Sequence, residues 1–354
     1  MAEVLEYKCV NCGGILEFNS DKQKLVCPYC DSEFAPDTVQ QGKVDEYDEP
    51  VFQREDDYIE TMKHYICESC GGEIDVNEDS VADFCPFCSR PVIMSDRVSK
   101  FLKPDYVIPF KVNKDKAKEG YIQFAKKYKR LVPRDFMERV APDNIKGMYI
   151  PYWLYDADTE THTQFEGIIE TTWTVGNTEY TKKDYYNVYR TCDNSYSMVP
   201  VDGSSKIDNK VTESIEPFNY DEKLDFQSAY LSGYFAEKYD LDDKACYTIA
   251  YDRMKETDID MTRRTISGYD SLTIQKSTMK TENNEKKYAL MPVWLMSSDY
   301  KGKNYQYASN GQTGKFVGKL PVSKGRCVGL WFQVFAIAGV ISGLVSFLIS
   351  LLNK

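Results

Sequence analysis

The chain has 354 residues, with 44 lysines and arginines against 55 aspartates and glutamates and a net charge of −11. Its 42% of hydrophobic residues and 27 tyrosines are enough for a sizeable core and suit β-rich amphipathic faces. Only His64 and His162 are histidines, which excludes an H-E-x-x-H helix and any histidine-rich metal site.

Residues 1–36 carry Cys9-x-x-Cys12 and Cys27-x-x-Cys30; residues 63–98 carry Cys67-x-x-Cys70 and Cys85-x-x-Cys88. Fourteen residues separate the two pairs in each array. A tetrahedral zinc ion takes four thiolates at about 2.3 Å, and C-x-x-C is the shortest loop that aims two sulfurs at one metal. The copies also match in Cys12-Gly13-Gly14 against Cys70-Gly71-Gly72, and in Cys27-Pro28-Tyr29-Cys30 against Cys85-Pro86-Phe87-Cys88. This is an internal repeat at an offset of 58 residues. The glycines permit a tight turn whose N–H groups face the sulfurs. The spacing thus predicts two small zinc ribbons and two Zn2+ ions, one per four-cysteine site. Rubredoxin-like iron shares the Cys-Pro-x-Cys turn but uses a longer gap between pairs. Incidental thiols or disulfides would have to arise twice at one spacing, and 36 residues between Cys30 and Cys67 oppose cross-braced ligation.

Residues 37–62 form an acidic linker, Val44-Asp-Glu-Tyr-Asp-Glu-Pro running on to Glu60, that reads as a solvated spacer or a docking peptide. Residues 1–100 hold 22 acidic against 9 basic residues, a net of −13. That sign is wrong for binding a phosphate backbone.

Residues 99–325 are expected to form an α+β cytosolic domain, rich in β-structure. Tyr106 to Lys111 reads as a strand, and Asn113 can cap a basic amphipathic helix over 114–131. Ala117, Tyr121, Phe124, Ala125, Tyr128 and Leu131 share its apolar stripe. Its lysines leave three uses open: a solvated face of a helix packed on a sheet, contact with anionic lipid, or contact with nucleic acid. Thr159 to Val175 and Thr178 to Met198 alternate around Gly176-Asn177, the pattern of a long hairpin. Helices are expected near 224–238 and 242–256, and strands over 303–308 and 315–318 flank a turn at Asn310-Gly311. Pro151-Tyr-Trp153-Leu154 is echoed by Pro292-Val-Trp294-Leu295, which suggests two related β units.

Residues 328–352 run for 25 residues without a charge. As a helix they span roughly 37 Å, against a bilayer core of about 30 Å. Lys315, Lys319, Lys324 and Arg326 precede the run, so the positive-inside rule puts the N-terminal part in the cytoplasm, where thiols also stay reduced. Within the run Gly339 and Gly343 form a G-x-x-x-G pair, a face for homo-oligomer contact or simply a common membrane-helix feature.

Signatures of catalysis are missing. There is no G-x-S-x-G elbow, and Gly311-Gln-Thr-Gly-Lys315-Phe fails the P-loop pattern. His162, Cys192 and Cys246 read as structural residues, Cys327 as a membrane-border residue open to modification, and Asp156 and Asp158 as loop residues.

The order of these motifs carries a resemblance. Four-cysteine ribbon, Pro-Phe-Lys strand and basic helix are followed by Gly147-Met-Tyr-Ile-Pro-Tyr-Trp-Leu-Tyr-Asp156, then by Tyr230-Leu-Ser-Gly-Tyr-Phe-Ala-Glu-Lys-Tyr239. Met-Pro-Val-Trp, Asn-Gly-Gln-Thr-Gly-Lys and Gly-Lys-Leu-Pro complete the series. Nearly the whole chain resembles a family of bacterial TFIIB-type zinc-ribbon membrane proteins. The resemblance implies a recruiting platform in a membrane stress module with PspA-type and SPFH-type membrane proteins, and it carries over the eight cysteine ligands and no catalytic residue. The expected function is a non-enzymatic, membrane-anchored zinc-ribbon adaptor. The alternative is a membrane-tethered nucleic-acid-binding protein, and an enzyme with an unrecognised pocket is a third class.

Overall fold

The structure is a computed structural model that describes residues 4–39, 63–66, 73–76, 80–84, 91–94, 103–138, 144–205 and 209–352. Its strands in chain order are β1 (Val4–Leu5), β2 (Glu17–Asn19), β3 (Lys24–Val26), β4 (Glu33–Phe34), β5 (Lys63–Ile66), β6 (Glu73–Val76), β7 (Ser80–Phe84) and β8 (Pro91–Met94). They continue with β9 (Tyr106–Val107), β10 (Asn144–Val175), β11 (Thr178–Asp202), β12 (Leu224–Asp225), β13 (Phe235–Glu237), β14 (Ser271–Tyr300), β15 (Lys303–Asn310) and β16 (Phe316–Gly318). The helices are α1 (Lys114–Lys127), α2 (Arg134–Glu138), α3 (Asn209–Ile215), α4 (Asp243–Arg264) and α5 (Lys324–Leu352).

The alternating pattern around Gly176 produces the expected hairpin. β10 pairs antiparallel with β11 from Tyr152↔Asp202 to Val175↔Thr178, and Gly176 takes φ +62° in the turn. β14 covers the other edge of β10 from Asn144↔Ser297 to Ile168↔Ser271. Around this centre an 11-stranded sheet runs in the order β1-β8-β7-β13-β10-β14-β15-β16, with β11 also on β10 and β9 joining β14 to β12. Helices pack on it, so the fold is mixed α+β as composition and pattern suggest.

The Pro-x-Trp-Leu echo extends to matching contacts in space. β13 lies parallel to β10 at Met148↔Phe235 and Tyr149↔Ala236, and β9 lies parallel to β14 at Ala289↔Tyr106 and Leu290↔Val107. The Trp153 indole N–H donates to the Leu241 carbonyl at 3.0 Å, and Trp294 donates to Val112 at 2.8 Å. Each acceptor immediately precedes a helix N-cap, Asp242 for α4 and Asn113 for α1. The Gly203 N–H donates to the Pro151 carbonyl at 2.9 Å and the Gly311 N–H to Pro292 at 2.8 Å. One βα arrangement therefore occurs twice, and the second copy draws α1 and β9 from before the first.

The helix expected near 224–238 is not there. That stretch forms β12, a 3-10 turn over Ser228–Leu231 and β13. Gly233 at φ +89° breaks any helix, and the parallel partners on β10 claim the backbone of Phe235 and Ala236. Helix α1 follows its stripe, with Asn113 accepting from the Lys116 N–H at 2.8 Å and Ala117, Tyr121 and Ala125 buried. It stops at Lys127, earlier than the pattern suggests, and Tyr128 to Val132 form turns ahead of Pro133, which disfavours helix at the residue before it. Helix α4 starts where expected but runs on to Arg264. Its buried Asp258 accepts from Thr161 at 2.6 Å, Thr159 at 2.9 Å, Tyr196 at 2.6 Å and Asn194 at 3.2 Å, which locks the helix to β10 and β11.

Helix α5 leaves this body at Lys324, where the Ser323 hydroxyl meets the first-turn Arg326 N–H. Its 29 residues reach about 43 Å. The segment Lys324–Val345 is long and apolar enough to cross a membrane, and its most apolar window is not buried against the protein. The core helix of a soluble protein would be covered, so bare Trp331, Phe332 and Phe335 fit a lipid-facing surface.

Candidate metal centre

Each cysteine pair of the first array sits in a tight turn at the end of a short antiparallel pairing. Lys8 and Ile15 bridge across the first turn. Within it Cys9 N–H donates to the Gly14 carbonyl at 2.7 Å and Gly13 N–H to the Cys9 carbonyl at 2.8 Å. β3 and β4 pair at Val26↔Glu33 around the second turn, where Cys27 N–H donates to the Ser32 carbonyl at 3.0 Å and Asp31 N–H to the Cys27 carbonyl at 2.9 Å. The residue after the second cysteine takes a left-handed conformation in both, Gly13 at φ +72° and Asp31 at φ +54°. Gly14 is demanded by contact: a Cβ there would stand 2.5 Å from the Tyr29 ring and 3.3 Å from the Cys27 sulfur.

The turns bring the Cys9, Cys12, Cys27 and Cys30 sulfurs within 4.8 Å of one another. Cys9 and Cys30 stand 3.6 Å apart and Cys12 and Cys27 3.4 Å apart. Ligands at about 2.3 Å from a tetrahedral ion lie about 3.8 Å from each other, so the four sulfurs fit one metal ion. Cys9 and Cys27 are buried, whereas Cys12 and Cys30 face solvent. Asn11 ties the two turns by donating to Ser32 Oγ at 2.8 Å, and Ser32 Oγ lies 3.2 Å from the Cys30 sulfur.

The thiols do not share one acidity. The Ser32 hydroxyl and N–H lower Cys30 to about 6. At Cys12 the Gly14 N–H pulls downward, but the Cys30 and Cys27 sulfurs outweigh it and push the thiol up to about 12. Four sulfurs at this spacing cannot all ionise beside one another without a cation, which makes a bound ion the natural resolution of the cluster.

This centre is built into the body. Tyr7, Cys9, Leu16, Phe18, Leu25 and Cys27 belong to the same core as Phe110, Tyr149, Leu231 and Tyr234. Tyr7 OH meets Ser228 Oγ at 2.6 Å, Phe18 N–H donates to the Ser232 carbonyl at 3.0 Å, and Ser232 Oγ donates to the Leu16 carbonyl at 2.6 Å. Gln23 reaches the Phe110 carbonyl at 2.7 Å, and Asp21 pairs with Lys116 of α1 at 2.8 Å. Residues 1–36, 63–98 and 99–325, separate along the chain, also meet in one sheet, where β1 pairs with β8 and β7 with β13. These partners lie more than 200 residues apart in places and carry no local signal; only the Gly13-Gly14 pair announced the tight turn.

Cys67, Cys70, Cys85 and Cys88 lie outside the described residues. The strands that flank them in sequence are described: β5 pairs with β6 and β7 with β8, both antiparallel. His162 contacts Thr191 Oγ1 at 3.0 Å on the exposed hairpin, and Cys246 is buried with its thiol pushed up to about 12 by burial.

No family model matches the chain, and no solved structure matches it. A curated relative, the uncharacterized protein YdjG of Bacillus subtilis (strain 168), is 33% identical over 333 residues, 94% of each chain. The chain belongs to the YdjG-like family.

Proposed function

We propose that this chain is a non-enzymatic adaptor, held in the cell membrane by α5 with its N-terminal body in the cytoplasm, whose zinc-bound four-cysteine modules recruit protein partners to the inner membrane surface. The observation that carries this reading is at the turn tips of the Cys9, Cys12, Cys27 and Cys30 cluster, where Val10 is 79% and Tyr29 66% exposed. A structural metal site uses only the thiolates, so its tip side chains are free to anchor a partner, and tyrosine is a frequent anchor. The all-sulfur tetrahedral set suits Zn2+, and the same spacing in Cys67, Cys70, Cys85 and Cys88 supports a second Zn2+. Cations ahead of α5 and reduced thiols both favour the cytoplasm. The resemblance to TFIIB-type zinc-ribbon membrane proteins supports PspA-type and SPFH-type partners. Gly339 and Gly343 have nothing within 4 Å of an added Cβ, which leaves a face where a second α5 can pack.

Affinity purification of the full chain from membranes, read by mass spectrometry, tests the adaptor role. Val10→Ser with Tyr29→Ser keeps every ligand and is expected to retain metal but lose partners several-fold. Cys27→Ser with Cys30→Ser is expected to lose both while remaining in the membrane fraction. Undiminished partner recovery from both variants refutes the adaptor. Recovery of nucleic acid instead, abolished when Lys126, Lys127, Lys129 and Arg130 become glutamine, favours the tethered nucleic-acid-binding alternative.

A further inference from the structure

Two depressions flank the point where α5 leaves the body. One is an apolar groove of about 460 Å³ between α1, α3 and β16, floored by Phe124, Tyr128, Leu131, Phe316 and Val317. Its volume falls within the about 300–1,000 Å³ of pockets that hold organic ligands. Lys210 and Lys319 stand at its rim. The other is a cleft of about 510 Å³ lined by Arg134, Lys301, Lys303 and Arg326, with Asp135 the one acidic residue among its lining. Val322, exposed, lines both, so the apolar and cationic parts adjoin.

Their position relative to α5 is held by contacts. Ser323 N–H donates to the Leu131 carbonyl at 2.8 Å, and the Arg326 guanidinium donates to the Val132 carbonyl. The first turn of α5 is thereby clamped to the turn that follows α1. Val322 stands six residues before the uncharged run beginning at Val328. The four helical steps from Lys324 to Val328 rise about 6 Å, and the headgroup layer on each side of a bilayer is roughly 5–8 Å thick. With α5 in a membrane, the shared rim of groove and cleft stands at the outer edge of the headgroup layer.

We infer that groove and cleft together form a site for an anionic phospholipid of the same leaflet, its acyl chain in the groove and its phosphate among Arg134, Lys301, Lys303 and Arg326. Apolar lining alone would accept many occupants. The cationic cleft adjoining it at the outer edge of the headgroup layer matches a molecule with a hydrocarbon chain on one side and an anionic phosphate on the other. This inference rests on the reading of α5 as a membrane anchor.

The test uses the full chain reconstituted in phosphatidylcholine vesicles that contain a minor fraction of phosphatidylglycerol with a photoreactive acyl chain. Crosslinked peptides are mapped by mass spectrometry, and phosphatidylcholine bearing the same photoreactive chain is the comparison. Crosslinks to Phe124, Tyr128 or Phe316 that favour phosphatidylglycerol are expected. The exposed-site variant Arg134→Gln with Lys303→Gln should cut them about tenfold or more, since each cation near an anionic surface contributes about one kcal/mol. Val211→Trp, which fills the groove, should cut them while leaving crosslinks to α5 intact. Crosslinks at α5 without any in the groove, or groove crosslinks equal for both lipids and indifferent to the variants, overturn the inference and leave the anchor standing. Absence of crosslinks even at α5 overturns the anchor reading and the lipid site with it.

Discussion

Removing the metal from the first cysteine cluster is expected to loosen a defined part of the body rather than a detached knob. Cys27→Ser with Cys30→Ser takes away two of four ligands, and the apparent binding free energy of such sites is about 10–16 kcal/mol. Against that loss stand Leu16, Phe18 and Leu25, all buried in the shared core, worth about 1.5–3 kcal/mol each. The hydrogen bonds from Tyr7, Phe18 and Ser232 add about 1 kcal/mol each. These retained contacts, roughly 8–12 kcal/mol, are of the same size as the loss and fall short of it over most of its range, so the module is expected to open locally. Its core partners must respond, because Phe18 N–H and the Leu16 carbonyl are bonded to Ser232 and the Phe18 ring meets Tyr230 at 5.1 Å. Hydrogen exchange followed by mass spectrometry on the full chain should show 16–26 and 228–234 losing protection together, with the β10–β14 pairing still protected. Metal content measured on the same sample should fall. Full protection of 228–234 in a metal-free variant would refute the claim that the cluster supports the body.

Asp258→Ala should cost about 3–5 kcal/mol, because it strands the Thr159, Thr161, Tyr196 and Asn194 donors in a buried site; thermal unfolding in detergent measures it, and a loss below 1 kcal/mol would contradict the network. Gly311→Ala places a Cβ 2.7 Å from the Phe110 ring and 2.8 Å from Pro292, an overpacking expected to cost about 1–3 kcal/mol by the same measurement. Burial pushes the Asp202 carboxyl up to about 7, so the folded state holds a proton that the unfolded chain has already released. That contribution is complete below about pH 4 and is lost as pH rises through about 7. Asp202→Asn should therefore gain stability relative to the parent chain between pH 5 and pH 8; comparing the two proteins cancels any acid release of metal, and an unchanged difference would show that Asp202 is not the titrating group.

Much of the candidate site was legible because its information is local. Ligand spacing in C-x-x-C, the glycine pair after Cys12 and the presence of a long uncharged run each depend on a few consecutive residues and on fixed geometry. The hairpin around Gly176 is legible for the same reason, since side-chain alternation in a strand has period two. Local patterns failed at 224–238, where Tyr230, Leu231, Tyr234 and Phe235 suit a helix, but Tyr230 and Leu231 close a 3-10 turn, Gly233 takes a left-handed conformation, and parallel pairing with β10 wins Phe235 and Ala236 for a strand. They were also silent on the partners of Asp258, Thr159 and Thr161 from β10 and Asn194 and Tyr196 from β11.

By itself the sequence determined that Cys9, Cys12, Cys27 and Cys30 form a set that can take a metal, that one uncharged stretch is long enough to cross a membrane, and that a Pro-x-Trp-Leu unit occurs twice, because each of these is written in spacing. Only the tertiary structure decided that the first cysteine cluster shares a core with Phe110 and Leu231, that the duplicated units are interleaved along the chain, and that a groove and a cationic cleft adjoin beside α5. Those outcomes arise from contacts between residues far apart in the chain, whose free energy comes from the area they bury together and is assigned to no single stretch of sequence.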